Sequence, residues 1–215
     1  RALRLMREGT VFMGVPTYYV RLLQEKGLTR EAVAHMRLFI SGSAPLLPET
    51  FSEFRERTGQ TLLERYGMTE GGMFTSNPLE GERRGGTVGF PLPGTEVRVV
   101  GEGDVPQPVG GIGQIQVRGD NVFAGYWGLP EKTREEFTAD GFFRTGDMGR
   151  FDSEGYLAII GRDKDLIITG GLNVYPKEIE EAIDTLPGVA ESAVIGLPHP
   201  DFGEAVTAVV VRRKG

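Results

Sequence analysis

The sequence predicts a mixed α/β protein in three parts. These are a parallel, doubly wound αβ subdomain over residues 1–83, a β-rich, barrel-like subdomain over 84–163, and the start of a small α+β domain over 164–215. Three textures carry that expectation. Apolar runs alternate with helical periods in the first part, and short strands with glycine turns fill the second. The charged run "GRDKD" then opens onto strand, helix and strand again. Strand–helix–strand with short connections calls for parallel pairing and right-handed crossovers. A chain of 215 residues can bury a sizeable core.

The elements follow in order. "VFMGVP" reads as a short buried strand and "TYYVRLLQEKG" as a helix stopped by Gly27. "RLFISGSAP" is a strand running into a loop. "LPETFSEFRERTG" is a helix with Pro48 suited to its first turn, Glu49 near its positive end and Gly59 just past its last turn. "QTLLERYG" is a third strand. In parallel sheets ligands sit at the carboxyl ends of strands, so "SGSAPL" and "YGMTEGG" are expected to line one crevice. Beyond residue 84, "TEVRVV", "GQIQVRG", "GFFRTGDMGRF" and "GYLAIIGR" alternate like half-buried antiparallel strands, with Ile115 and Val117 facing inward and "FDSEGY" as a hairpin turn. In the third part "DLIITGG", "VAESAVIGLP" and "EAVTAVVVRRKG" are strands. "YPKEIEEAIDTLPG" is a helix with Ile179, Ala182, Ile183 and Leu186 on one stripe.

Composition narrows the class. A net charge of −6 argues against a nucleic-acid partner, which wants a basic face. The absence of cysteine excludes disulfides, thiolate metal sites and a cysteine nucleophile from these residues, and it suits a reducing, cytoplasmic setting. No apolar run approaches the roughly 20 residues that span a bilayer, and "RALRLMREG" is too short and broken for a signal peptide. The 32 glycines are about twice ordinary usage. Glycine at that density implies tight turns and backbone passing close to a ligand.

Three stretches carry possible chemistry. In "YGMTE", Tyr66 offers an aromatic face, Gly67 close approach, Thr69 a hydroxyl for phosphate and Glu70 a hard oxygen for Mg²⁺. The same residues also read as a polar strand end capped by a turn. In "FRTGDMG", Asp147 could accept two hydrogen bonds from a ribose diol, or close a turn on its own backbone. In "GRDKDLIITGG", Arg162 could reach ribose or phosphate, and the run could equally be a solvated loop.

Taken in order, "SGSAPL", "YGMTE", "RTGD" and "GRDKDLIITGGLNVYPKEIE" resemble successive core motifs of the adenylate-forming superfamily. That superfamily comprises acyl-CoA synthetases, peptide-synthetase adenylation domains and luciferases. The resemblance implies activation of a carboxylic acid by ATP and Mg²⁺ to an acyl-adenylate, followed by transfer to CoA. It implies that Ser43, Ala44, Pro45 and Tyr66 hold adenine with Gly67 and Met68 beside them, that Thr69 contacts phosphate and that Glu70 holds Mg²⁺. Thr69 and Glu70 would thus be the catalytic pair. It further implies that Asp147 and Arg162 bind ribose, that Lys164 is a hinge, and that Gly170, Gly171 and Leu172 form a loop lining the pantetheine path.

Two family pieces are missing. The phosphate loop ending in Pro-Lys-Gly is expected upstream of residue 1, and the adenylating lysine near the far C-terminus; Lys214 lacks the context of that lysine. The 215 residues are therefore expected to be an internal segment of a larger enzyme, inactive in adenylation alone.

The surroundings "FMGVPTYYVRLL", "SGSAPL" and "ERYGMTE" are most similar to the malonyl-CoA synthetases. In that subgroup Arg21, on one helical face with Thr17, would pair with the carboxylate that is not activated, and Ser41 and Gly42 would line the acid site. The competing readings are a synthetase for an aromatic or medium-chain acid, with Arg21 incidental, and a non-catalytic nucleotide-binding module. His35 is expected to be a surface or capping residue, His199 part of a structured turn, and Trp127 a packing residue of the β-rich region.

Overall fold

The computed structural model describes residues 2–213. Three sheets form its frame. The first contains β1 (Val11–Gly14), β2 (Leu38–Ser41), β3 (Leu63–Met68), β4 (Gly72–Ser76) and β5 (Phe90–Pro91), in that order. β1, β2 and β3 pair in parallel, as the strand–helix alternation predicts. α1 (Ala2–Met6) precedes β1. The crossovers are α2 (Pro16–Leu23) and α3 (Pro48–Thr58), each starting on a proline whose missing N–H costs nothing in a first turn. Gly59 closes α3 by donating to Arg55 O at 2.8 Å. Tyr19 of α2 and Phe54 of α3 meet edge to face at 5.4 Å, and Phe54 meets Phe39 of β2 at 5.0 Å. Both helices thus share one face, so this segment holds one helical layer of the expected doubly wound arrangement.

The sequence analysis missed β4. Thr69–Gly71 turn β3 straight back into an antiparallel hairpin, so "YGMTEGG" is a strand end and a hairpin turn at once. A bulge between Tyr66 and Gly67 lets the strands close up there. A Cβ on Gly67 would lie 1.9 Å from Gly72 O, so only glycine fits.

The second sheet is a meander of β6 (Thr95–Val100), β7 (Gly113–Gly119), β8 (Phe143–Phe151) and β9 (Leu157–Arg162), with α4 (Pro130–Glu136) in the β7–β8 connection. It is open rather than barrel-closed: β6 and β9 do not pair. The free edge of β9 is covered instead by the segment leading to β5, through Val88 N to Leu157 O and Leu157 N to Gly89 O. Tyr66 and Phe74 of the hairpin pack onto Val99, Ile115, Val117, Phe143 and Leu157. That packing fully buries the face of β7 that carries Ile115 and Val117, the inward side the alternation predicts. Gln116 between them is buried too, accepting from Arg98 Nε at 2.8 Å and donating to Asp104 Oδ1 at 2.6 Å.

The third sheet runs β11 (Leu172–Val174), β10 (Ile167–Thr169), β13 (Gly203–Arg212), β12 (Val189–His199), with α5 (Pro176–Asp184) packed on β12. On the α5 stripe, Ile179 and Ile183 are half-buried while Ala182 and Leu186 are exposed. None of the described helices is long and apolar enough to cross a membrane.

Candidate active site

The carboxyl ends of β2 and β3 open into a cleft of about 750 Å³, walled also by β8, β9 and α5. Ser41, Ser43, Ala44 and Pro45 line it from one strand end, and Tyr66, Gly67 and Met68 from the next. The expected shared crevice is there. Ser43 adopts φ 68°, a left-handed conformation costly for a residue with a Cβ and typical of loops shaped around a function. Ser41 Oγ, fully buried at the same strand end, has no hydrogen-bond partner among the described residues. A buried unpaired hydroxyl costs roughly 1–3 kcal/mol unless a ligand or water takes it up.

Asp147 sits inside β8, opposite Arg162 across the ladder, and not in a turn as the flanking glycine suggested. The register shifts immediately after it, between Met148 and Gly149, and that bulge rather than a reverse turn accommodates the glycine-rich run. Tyr66 Oη donates to Asp147 Oδ2 at 2.6 Å, and Arg162 Nε lies 3.1 Å from Asp147 Oδ1. Burial lifts the Asp147 carboxyl above its ordinary range, against the pull of the Tyr66 hydroxyl and the Arg162 guanidinium. Burial, with the Asp147 charge beside it, pushes the Tyr66 phenol far up, so it stays a donor. The Tyr66 ring packs edge-on against Phe74 at 5.7 Å. Half of the Arg162 side chain is exposed, with its terminal nitrogens free to reach a ligand.

Other nominated residues lie elsewhere. Lys164 lines the cleft mouth from the short turn after β9. Gly42 packs on Arg65 behind the lining. Thr69 and Glu70 sit in the β3–β4 turn outside the lining, with Thr69 exposed. Gly170 and Gly171 turn β10 into β11, and Leu172 is exposed; this loop is held by Gly170 N to Phe202 O at 2.9 Å. Arg21 is exposed in the last turn of α2, with no ion pair among the described residues.

Trp127 corrects an expectation: its side chain is fully exposed rather than packed. The aromatic packing of this region is made instead by Phe123, Tyr126, Phe137 and Phe143. His35 is exposed, bonded to Met6 O, and His199 stacks on Phe202 at 4.8 Å within its turn. Lys214 lies outside the described residues.

Sequence reasoning missed several polar residues of the lining, among them Glu64 and Arg65 on β3 and Lys177, Glu180 and Glu204 from the third part of the chain. Glu64 pairs in register with Ser41 and is buried, accepting from Gly86 N at 3.2 Å; burial pushes its carboxyl up to about 8. Arg65 lines the cleft with no acidic partner among the described residues. A charged pair inside an otherwise strand-like run was the available signal.

Family comparison agrees with this geometry. Residues 4–127 match the model for an AMP-binding enzyme, and residues 178–215 that for the AMP-binding enzyme C-terminal domain. The chain belongs to the AMP-binding enzyme family. A probable CoA ligase of Humulus lupulus is 46% identical over 94% of this chain and 35% of its own length, and a malonate–CoA ligase of Arabidopsis thaliana is 44% identical over 94% and 34%. ATP-bound MatB from Rhodopseudomonas palustris is 62% identical and superposes with a TM-score of 0.97 over the whole chain and 43% of its own. The chain therefore spans about a third of the length of the curated relatives named here. The cleft at the ends of β2 and β3 is the candidate active site.

Proposed function

We propose that the full-length protein is an AMP-forming acyl-CoA synthetase for malonate, with methylmalonate as a second substrate. The acid carboxylate attacks the α-phosphate of ATP, giving malonyl-adenylate and pyrophosphate. The CoA thiol then displaces AMP, giving malonyl-CoA.

The observation that carries the reading is the Tyr66–Asp147–Arg162 network at the cleft. An ionised carboxylate has room for about four hydrogen bonds, and two are used, which leaves two for the hydroxyls of a ribose. The Arg162 fork can add a donor to the same sugar or to phosphate. Ser43, Ala44, Pro45, Gly67 and Met68 would form the surround of adenine, with Tyr66 closing one side. Lys164 would be the hinge, and Gly170, Gly171 and Leu172 would guide the CoA arm. We assign residues 1–83 and 84–163 to the large domain and 164–215 to the small one.

A dicarboxylate needs a cation for the charge that is not activated. Arg21 is the cation the family resemblance offers, with Ser41 and Gly42 around the acid, and Arg65, which lines the cleft and has no ion pair among the described residues, is a second candidate. Arg21 would reach the acid with the rest of the full-length protein folded over α2.

Mg²⁺ suits what the chain offers. Among the described residues no three acids or histidines cluster into a metal cage. Mg²⁺ commonly binds through one or two carboxylates plus substrate phosphates, and Glu70 supplies such a carboxylate, with the Thr69 hydroxyl next to it for phosphate. The ion would neutralise charge on the phosphates during adenylation. The cysteine-free sequence supports a cytoplasmic location.

The test is a panel of carboxylic acids with the full-length protein, ATP and CoA, read as AMP formed. Malonate should give the highest turnover per unit KM. A preference for aromatic or medium-chain acids would remove the malonate assignment.

A further inference from the structure

The β3–β4 turn that carries Thr69 and Glu70 is tied along its length to the segment after β7. Asn121 Nδ2 donates to Gly71 O at 2.8 Å and Met73 O at 3.3 Å, and Phe123 N donates to Glu70 O at 2.7 Å. The Tyr126 hydroxyl then donates to Glu70 Oε1 at 3.2 Å. No other residue among those described bonds the Glu70 carboxylate, so Oε2 stays free.

Tyr126 is itself held firmly. Its N–H donates to Thr133 Oγ1 at 2.9 Å, while that hydroxyl donates to Leu129 O at 2.9 Å. Gly125 has φ 144°, and a Cβ there would meet Thr133 Cγ2 at 2.5 Å. Phe123 packs edge-on against the Tyr126 ring at 4.8 Å, and Lys132 Nζ sits 5.3 Å from its centre. A tyrosine on a mobile loop would not be anchored at its backbone, ring and hydroxyl together.

We propose that Tyr126 is a positioning residue for the Glu70 carboxylate, fixing it with Oε2 presented to the cation that accompanies ATP. This rests on the reading of Glu70 as the Mg²⁺ ligand. Carboxylates that bind metals are themselves commonly hydrogen-bonded, and losing such a partner costs roughly 10–100-fold in metal affinity. Ordering a free glutamate side chain costs conformational entropy, part of which the Tyr126 hydrogen bond offsets before the cation arrives.

The test uses full-length enzyme with a non-hydrolysable ATP analogue and Mn²⁺, whose free concentration is followed by electron paramagnetic resonance. Glu70→Gln and Tyr126→Phe are compared with wild type, and the affinity for the metal-free analogue is measured alongside. The expected result is a loss of about tenfold or more in Mn²⁺ affinity for Tyr126→Phe, a larger loss for Glu70→Gln, and unchanged metal-free nucleotide binding. If Glu70→Gln weakens Mn²⁺ and Tyr126→Phe does not, Tyr126 has no positioning role and the reading of Glu70 stands. If neither weakens it, the metal reading of Glu70 fails and the inference falls with it. If Tyr126→Phe weakens metal-free nucleotide binding equally, its role is structural and the proposal is overturned.

Discussion

Replacing Glu64 with glutamine should stabilise the protein, and increasingly so as the pH rises. Glu64 is buried, and its carboxyl titrates near 8 instead of the ordinary 4.5. Between those two values the folded protein holds a proton that the unfolded chain has released. Stability contributed by this site therefore falls as pH climbs from 4.5 to 8 and levels off above 8. Each unit is worth about 1.4 kcal/mol, so the penalty grows by at most about 3.5 kcal/mol between pH 5 and pH 8. Glutamine removes the titration and keeps an oxygen to accept from Gly86 N. Urea unfolding of full-length Glu64→Gln and wild type at pH 5 and pH 8 measures the difference. A stability gain at pH 8 well above that at pH 5 is expected. Equal effects at the two pH values would refute the burial argument.

Three further outcomes follow from the same geometry. Gly67→Ala should destabilise by about 3 kcal/mol, since its Cβ would meet the backbone oxygen of Gly72; a lowered urea midpoint checks this. Asp147→Ala strips Tyr66 and Arg162 of their shared partner and should weaken ATP binding roughly 10–100-fold, by calorimetry, given about 1.5–3 kcal/mol for a charged hydrogen bond. Arg65→Ala should raise the KM for malonate roughly 10–100-fold by the same reasoning, with the KM for ATP changing little.

Much of the fold was legible because local chemistry and tertiary structure agree. Prolines at helix starts, Gly59 at the end of α3 and the strand–helix alternation each specify their element without reference to distant contacts. The hairpin at β4 was hidden because "GGMFTSN" is short and glycine-led, and its pairing depends on Gly67 allowing the chains together. Asp147 resembled a turn residue because its strand bulges immediately after it. Tyr66 and Asp147, 81 residues apart, form a pair that no local pattern could announce. Residue types alone also could not show that Arg65 lines the cleft. Which polar residue is covered depends on how β8, β9 and α5 close over the strand ends. Trp127 is fully exposed, and nothing in its residue type distinguishes that from packing.

In the full-length protein this cleft is proposed to make malonyl-adenylate. The most direct measurement is exchange of labelled pyrophosphate into ATP by the full-length enzyme with malonate and no CoA. Reversible adenylate formation predicts exchange that requires malonate and is lost in Asp147→Ala. Malonyl-CoA formation without any malonate-dependent exchange, or exchange undiminished in Asp147→Ala, would contradict the account.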